Sequence, residues 1–162
     1  VLGVPRPGHL EGRSLLPLVR GEVGRVREVL FTEKTYHVAY EPERAARTGR
    51  YKYIRRFGAP HPTPVLANVD DSPSKDVMVE TGWADEPIPE EQLFDLLTDP
   101  NEAHNLAYEE RYRAVRDDLA ARLEGWMRET GDPLLRGPVP APPGAELNLP
   151  EQRSATDPTV FV

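Results

Sequence analysis

From Tyr108 to Met127 the large apolar residues are Tyr108, Tyr112, Val115, Leu119, Leu123, Trp126 and Met127. The steps between them are four, three, four, four, three and one. That spacing gathers them on one side of an α-helix, predicted over Ala107 to Thr130, which would be ~36 Å long. The opposite side alternates Asp and Glu with Arg and is expected to face water. A different rhythm runs through ERAARTGRYKYIRRF, Glu43 to Phe57. There Tyr51, Tyr53 and Phe57 fall on one parity and Arg50, Lys52 and Arg56 on the other, the period-2 pattern of a half-buried strand. Thr48-Gly49 supplies a turn, because glycine tolerates a positive φ. The segment is predicted to be a β-hairpin.

Weaker patterns complete the expectation. EVLFTE, Glu28 to Glu33, is predicted as a strand, followed by a loop that starts near Lys34 and is interrupted by Pro42. Leu93 to Leu97 is predicted as a last short strand. Ser14 is expected to cap a helical turn through Leu15, Leu16, Leu18 and Val19 that ends at Gly21. Ser72, with Pro73 at the first helical position, is expected to start a short helix ending at Gly82. Gly58 to Asn68 is a proline-punctuated loop, and Asp85 to Glu91 an acidic one. Trp83 and Trp126 are expected in the core. From Gly131 onward prolines are frequent and periodicity is lost, which predicts an extended or disordered arm. The sum is an α+β fold: a small four-stranded antiparallel sheet packed against one long C-terminal helix, each covering the other's apolar face, with an extended Pro-rich tail.

Composition narrows the chemistry. The 162 residues carry a net charge of −7, which argues against a general nucleic-acid binder. There is no cysteine, so disulfides, thiolate metal sites and a cysteine nucleophile are excluded. No apolar run approaches the ~20 residues that span a membrane as a helix. The first residues lack the pattern of a signal peptide, and Val1-Leu2-Gly3 reads as the end of a helix whose earlier turns are missing, so the chain is expected to be a portion of a longer protein. His9, His37, His61 and His104 are scattered without metal-ligand spacing. No phosphate-binding glycine loop and no G-x-S-x-G elbow occurs. Asp70-Asp71 suits a helix entrance better than a cation, and no metal site is expected.

Charge is distributed unevenly. Arg25 to Phe57 holds nine Lys/Arg and four Glu, a formal +5 that leaves −12 for the remainder of a chain of −7. An anionic ligand would be drawn to that side; the alternative is that Arg50, Lys52 and Arg56 are simply the wet face of a strand. The segment Glu33 to Arg44, EKTYHVAYEPER, is longer than a tight turn needs and mixes Glu, Lys, Tyr, His and Arg. Long loops of that make-up often bind ligands. For His37, ligand contact and a hydrogen-bonded structural role both stay open.

LFDLLTDPNEAHNL, Leu93 to Leu106, closely resembles the signature near the C-terminus of type I sulfatases of the alkaline phosphatase superfamily. The match is at Leu93, Phe94, Asp95, Leu96, Asp99, Pro100, Glu102, Asn105 and Leu106. Physically it is a strand joined to a helix by a rigid turn, in which Asp99 can accept from backbone donors, Pro100 fixes φ and Asn105 can satisfy donors at the helix entrance. LEGRSLLPLVRGE and ERAARTGRYKYIRRF are similar to two further family segments in the same order. TGW, Thr81 to Trp83, and WMRETGDPLL, Trp126 to Leu135, are most like the sulfamidase, or heparan N-sulfatase, branch.

The resemblance implies a division into a linker at 1–22 from an absent catalytic domain, the C-terminal subdomain at 23–130, and the Pro-rich arm at 131–162. It implies a hydrolase of sulfated, and specifically N-sulfated glucosamine, sugars. Calcium and a formylglycine would lie in the absent catalytic domain, with no cofactor and no catalytic residue in this portion. The resemblance makes Glu33, Tyr36, His37 and Arg44 the candidate substrate-binding residues. The implied partners are the catalytic domain of the same protein and a sulfated carbohydrate, with no nucleic acid and no membrane; self-association is left open, and family members are commonly exported or lysosomal. An aryl or alkyl sulfatase, a phosphonate or phosphodiester hydrolase of the same superfamily, and a free-standing glycan- or protein-binding module are the competing expectations.

Overall fold

The computed structural model describes residues 7–10, 12–58 and 61–162. The reading of Val1 to Gly3 as a helix end lies outside them. Four strands form one antiparallel sheet in sequential order: β1 (Leu30–Tyr36), β2 (Tyr40–Arg47), β3 (Tyr51–Arg56) and β4 (Glu91–Asp95). The helices are α1 (Leu16–Val19), α2 (Pro73–Glu80) and α3 (Arg113–Thr130). Two short strands, β5 (Glu146–Leu147) and β6 (Val160–Phe161), pair in the C-terminal segment. The expected α+β fold, a four-stranded antiparallel sheet with one long helix, is borne out.

The periodicities explain the packing. The β2–β3 register sets Ala46 against Tyr53, and the β3–β4 register sets Tyr53 against Leu93. These three occupy one face of the sheet, and Leu119, Leu123 and Met127 of α3 close over it. Tyr53 and Leu93 are fully buried. The Tyr53 hydroxyl donates to Oε1 of Glu91, so its polar end is satisfied inside the core. Trp126 stacks on Phe31 with ring centroids 5.2 Å apart and planes 9° apart. Trp83, expected in the core, sits half-buried in a 3₁₀ turn after α2.

Several boundaries differ from expectation for local reasons. The helix starts at Arg113, not Ala107, and so spans ~27 Å. Leu106 N–H donates to Leu93 O at 2.8 Å, and Ala107 N–H to the Asn105 side chain at 3.0 Å. Those bonds hold the backbone beside β4 where a helix would carry it away. Asn105 thus serves β4 and the turn, also accepting from Leu93 N–H at 2.9 Å. Asp99 does what the sequence suggested and accepts from the N–H groups of Ala103 and His104. The last sheet strand runs Glu91–Asp95, and Leu97 is 74% exposed. The turn after β2 needs no positive φ at Gly49; the Thr48 hydroxyl closes it by accepting from Tyr51 N–H at 2.9 Å. Gly131 does adopt φ +66 at the end of α3, where Asp132 N–H reaches back to Met127 O at 2.8 Å.

The larger correction concerns Glu33 to Arg44, which is two strands and not a loop. β1 continues to Tyr36, and β2 begins at Tyr40. Pro42 is accommodated because the β1–β2 register shifts between Lys34 and Tyr36. The shift opens a bulge that spares a ladder bond the proline cannot make, while its carbonyl still accepts from Phe57 N–H at 3.0 Å. The face of the sheet opposite α3 is only partly wet. Lys34, Glu43 and Arg56 lie in register across β1, β2 and β3. Lys34 Nζ sits 2.7 Å from Glu41 and 3.1 Å from Glu43, and Arg56 is 3.4 Å from Glu43. Arg56, expected in solvent, is 3% exposed. The Gly58–Asn68 segment also contributes buried residues, Val65, Leu66 and Ala67.

The core makes a direct test. Leu123→Ala is expected to lower the urea unfolding free energy by about 2–5 kcal/mol, because the surrounding layer cannot collapse into the space. Leu97→Ala, at an exposed turn, is expected to change it by less than about 0.5 kcal/mol. Equal effects would contradict the placement of the core.

Candidate functional site

The four residues singled out from the sequence all lie on the β1–β2 hairpin, and the pairing register sets Glu33 opposite Arg44. Their environments differ sharply. The Glu33 side chain is 65% exposed and that of Arg44 2%. Glu33 Oε2 is 3.7 Å from Arg44 Nε. His37 begins the three-residue connection at the hairpin tip and is exposed.

Tyr36 is half-buried, its ring tilted 52° against Tyr40 at 4.9 Å. Its hydroxyl donates to Val139 O at 2.8 Å, and the Val139 N–H donates to the Tyr40 hydroxyl at 3.2 Å. Burial, then the neighbouring Tyr40, push the Tyr36 phenol above its ordinary pKa, so it acts as a neutral donor. Beside this pair lies an open, mostly apolar groove of about 580 Å³, lined by residues that include Tyr36, Tyr40, Val139, Leu147, Leu149 and Val160.

Arg44 is the anchor of this end of the molecule. Its Nε donates to Asp132 Oδ2 at 2.6 Å and one terminal nitrogen to Asp132 Oδ1 at 3.2 Å. The remaining N–H groups reach Lys34 O at 2.8 Å, Glu43 O at 2.9 Å and Thr35 Oγ1 at 3.1 Å. All five donors of the guanidinium are therefore used inside the protein. Arg44, expected from the sequence to meet a ligand, is held as part of the frame behind Glu33. Asp132 also accepts from Leu134 N–H at 3.0 Å, which starts the 3₁₀ turn Pro133–Leu135. Burial alone would raise the Asp132 pKa, but the bonds from Arg44 and Leu134 and the Arg44 charge outweigh it and hold the carboxyl below its usual range.

Part of the positive surplus between Arg25 and Phe57 is neutralised by carboxylates outside that segment: besides Asp132 on Arg44, Asp95 pairs with Arg50 at 2.7 Å and Glu102 with Lys52 at 2.7 Å. Lys34 and Arg56 share Glu41 and Glu43, which lie within it. Asp71 is engaged by Lys75 at 2.8 Å and by the Ser154 hydroxyl. Among the described residues no group of three His, Cys, Asp or Glu is placed to hold a metal. The exposed groups at the hairpin, Glu33 and His37, can donate and accept hydrogen bonds and carry charge. The arrangement is suited to contacting a polar ligand.

Sequence reasoning did not find Asn68, Asp132, Val139 or Asn148, which shape this end of the molecule. Asn68, Asp132 and Val139 lie 29, 88 and 103 residues from their partners Ala39, Arg44 and Tyr36, Asn148 lies farther still from Val38, and no local pattern flags them.

Comparison with known proteins bears out the sulfatase resemblance. The chain is 31% identical over 147 residues to the ulvan-active sulfatase of Formosa agariphila, an alignment covering 88% of this chain and 29% of that protein. It is 26% identical over 145 residues to human N-sulphoglucosamine sulphohydrolase, covering 80% of this chain and 28% of that one. Among solved structures, a 2-O GAG sulfatase superposes with a TM-score of 0.58 at 24% identity, over 87% of this chain and 25% of the other. Another, in complex with its substrate D-glucosamine-2-N,6-O-disulfate, gives 0.57 at 19%, over 82% of this chain and 23% of the other. No family model matches the chain. The chain is thus similar to sulfatases in sequence and fold, over a stretch that makes up less than a third of each of these relatives.

Two outcomes follow for Asp132 and its fellow carboxylates. Asp132→Ala strands a buried guanidinium and is expected to cost about 3–5 kcal/mol in chemical denaturation, with proteolytic nicking of 133–162 appearing first. Hydrogen bonds from Arg50 to Asp95, from His104 and Ala103 N–H to Asp99, and from Lys75 and Ser154 to Asp71 likewise hold those carboxyls below their usual range. A carboxyl with a depressed folded pKa contributes stability above its unfolded value and loses it as pH falls through the folded one. The urea midpoint is therefore expected to decline below about pH 4 and to be flat between pH 5 and about 7 with respect to these groups.

Proposed function

We propose that this chain is the C-terminal, non-catalytic part of a sulfatase-like hydrolase acting on sulfated sugars, with N-sulfated glucosamine the favoured group. In this reading the Glu33–Arg44 hairpin contributes to the substrate cleft of the assembled enzyme. The observation that carries it is the contrast within the hairpin. Arg44 is locked by five hydrogen bonds, Tyr36 is tied to Val139, and the exposed Glu33 and His37 are left on a rigid support. A binding surface built on fixed elements loses little freedom when a ligand docks.

The similarity to N-sulphoglucosamine sulphohydrolase supports the choice of sugar. In this reading calcium and a formylglycine belong to the catalytic domain. This chain has no cysteine and no Ser-x-Pro-x-Arg run, and its described residues include no group of three His, Cys, Asp or Glu placed to hold a metal. In this proposal bond cleavage belongs to the part of the enzyme that the chain does not span. His37 and Glu33 hold and orient the sugar, His37 through its imidazole N–H or nitrogen lone pair and Glu33 by accepting from sugar hydroxyls. Tyr36 and Arg44 keep the hairpin in place.

The test uses the full-length parent protein. His37→Ala is expected to reduce kcat/KM towards an N-sulfated glucosaminide ~10-fold, close to 1.4 kcal/mol of lost transition-state binding. Most of the loss should appear in KM. Arg122→Ala, on the outer side of α3, serves as the control and should leave both constants unchanged. An unchanged kcat/KM for His37→Ala would remove the hairpin from the cleft.

A further inference from the structure

The tip of the β1–β2 hairpin is held by residues far away in the chain. The N–H groups of Val38 and Ala39 both donate to Oδ1 of Asn68, at 3.1 and 2.9 Å. Asn68 Nδ2 donates to Ala39 O at 3.3 Å and to Glu41 Oε2 at 2.9 Å. Asn148 N–H, in turn, donates to Val38 O at 2.9 Å. Asn68 ends the 3₁₀ turn Leu66–Asn68, whose Leu66 and Ala67 are buried, so the amide is projected from a packed base.

The orientation of that amide follows from its partners. Two backbone N–H groups converge on one of its atoms, which must be the oxygen, and a carboxylate faces the other, which must be the nitrogen. Glu41 is in turn fixed, 6% exposed and 2.7 Å from Lys34 Nζ. A flipped amide would set oxygen against carboxylate and N–H against N–H. The cradle therefore has one stable arrangement.

Hairpin tips are usually hydrogen-bonded to water and mobile. Here Ala39 is fully buried, and the side chain left exposed at the tip is that of His37. A clamp on Val38 and Ala39 fixes the backbone immediately after His37, and with it the direction of its Cα–Cβ bond.

We propose that Asn68 is a positioning residue: its side-chain amide clamps the Val38–Ala39 backbone and so sets the orientation in which His37 meets the sulfated sugar. The inference rests on the reading of the hairpin as part of the substrate cleft. Asn68 itself touches no ligand; its influence passes through His37. A residue needed only for folding would harm the enzyme whether or not His37 is present.

That difference is the test. In the full-length parent, Asn68→Ala is expected to lower kcat/KM towards an N-sulfated glucosaminide ~5-fold, mainly through KM. Added to His37→Ala, it should change kcat/KM less than ~2-fold, because the group it positions is gone. Amide hydrogen exchange should accelerate at Val38 and Ala39 in Asn68→Ala and stay unchanged at Leu119 and Leu123. Asn68→Ser keeps a shorter acceptor; the same pattern at smaller amplitude is expected, and it replaces Asn68→Ala if that variant does not fold. Equal losses in both backgrounds, or unchanged exchange at Val38 and Ala39, would overturn the positioning role while leaving the cleft reading intact. A silent His37→Ala would instead remove the cleft reading, and this inference with it.

Discussion

The guanidinium of Arg44 ties three parts of the molecule together. It projects from β2, grips the carboxylate of Asp132 just past α3, and closes on the carbonyls of Lys34 and Glu43 beside it. Burying an ion pair costs several kcal/mol per charge before any attraction is counted. The cost is offset here because every guanidinium N–H has an acceptor and the carboxylate accepts from Leu134 as well. Such a pair tolerates little displacement. It fixes the end of α3 over the sheet and the direction in which the chain leaves the helix, with Gly131 in the left-handed conformation supplying the bend.

From that exit the tail follows a defined path. Leu134 enters the core, Val139 bonds both tyrosines of the hairpin, and Asn148 reaches the hairpin tip. Farther on, the Arg153 carbonyl accepts from the buried Lys75 of α2 at 2.6 Å. The tail so laid down and the Asn68 amide both hold the hairpin. A preorganised surface of this kind is what the proposed contact with a sugar requires.

Legibility in the sequence depended on the range of the forces involved. The spacing of Tyr112, Val115, Leu119, Leu123 and Met127 disclosed α3, and the parity of Tyr51 and Tyr53 disclosed β3, because an amphipathic element writes its own geometry into its residues. Ser72 and Pro73 marked the start of α2 for the same local reason, and Ser72 does accept from Lys75 N–H at 3.2 Å. The Glu33–Arg44 segment reads as a loop because Pro42 normally ends a strand; the bulge that admits it exists only in the pairing of β1 with β2. The helix starts later than its periodicity suggests because Leu106 and Ala107 are claimed by bonds to β4 and Asn105, which no window around them reports.

The sequence by itself determined the α+β class, the four-stranded antiparallel sheet, the helix that covers it and the likeness to sulfatases carried by Leu93 to Leu106. It also brought Glu33, Tyr36, His37 and Arg44 to notice as one segment. Only the tertiary structure decided their separate environments. Whether a side chain faces solvent or a partner depends on residues distant along the chain, as Arg44 depends on Asp132 and the tip on Asn68 and Asn148. Those pairings arise when the sheet, α3 and the tail fold together, and local periodicity holds no trace of them.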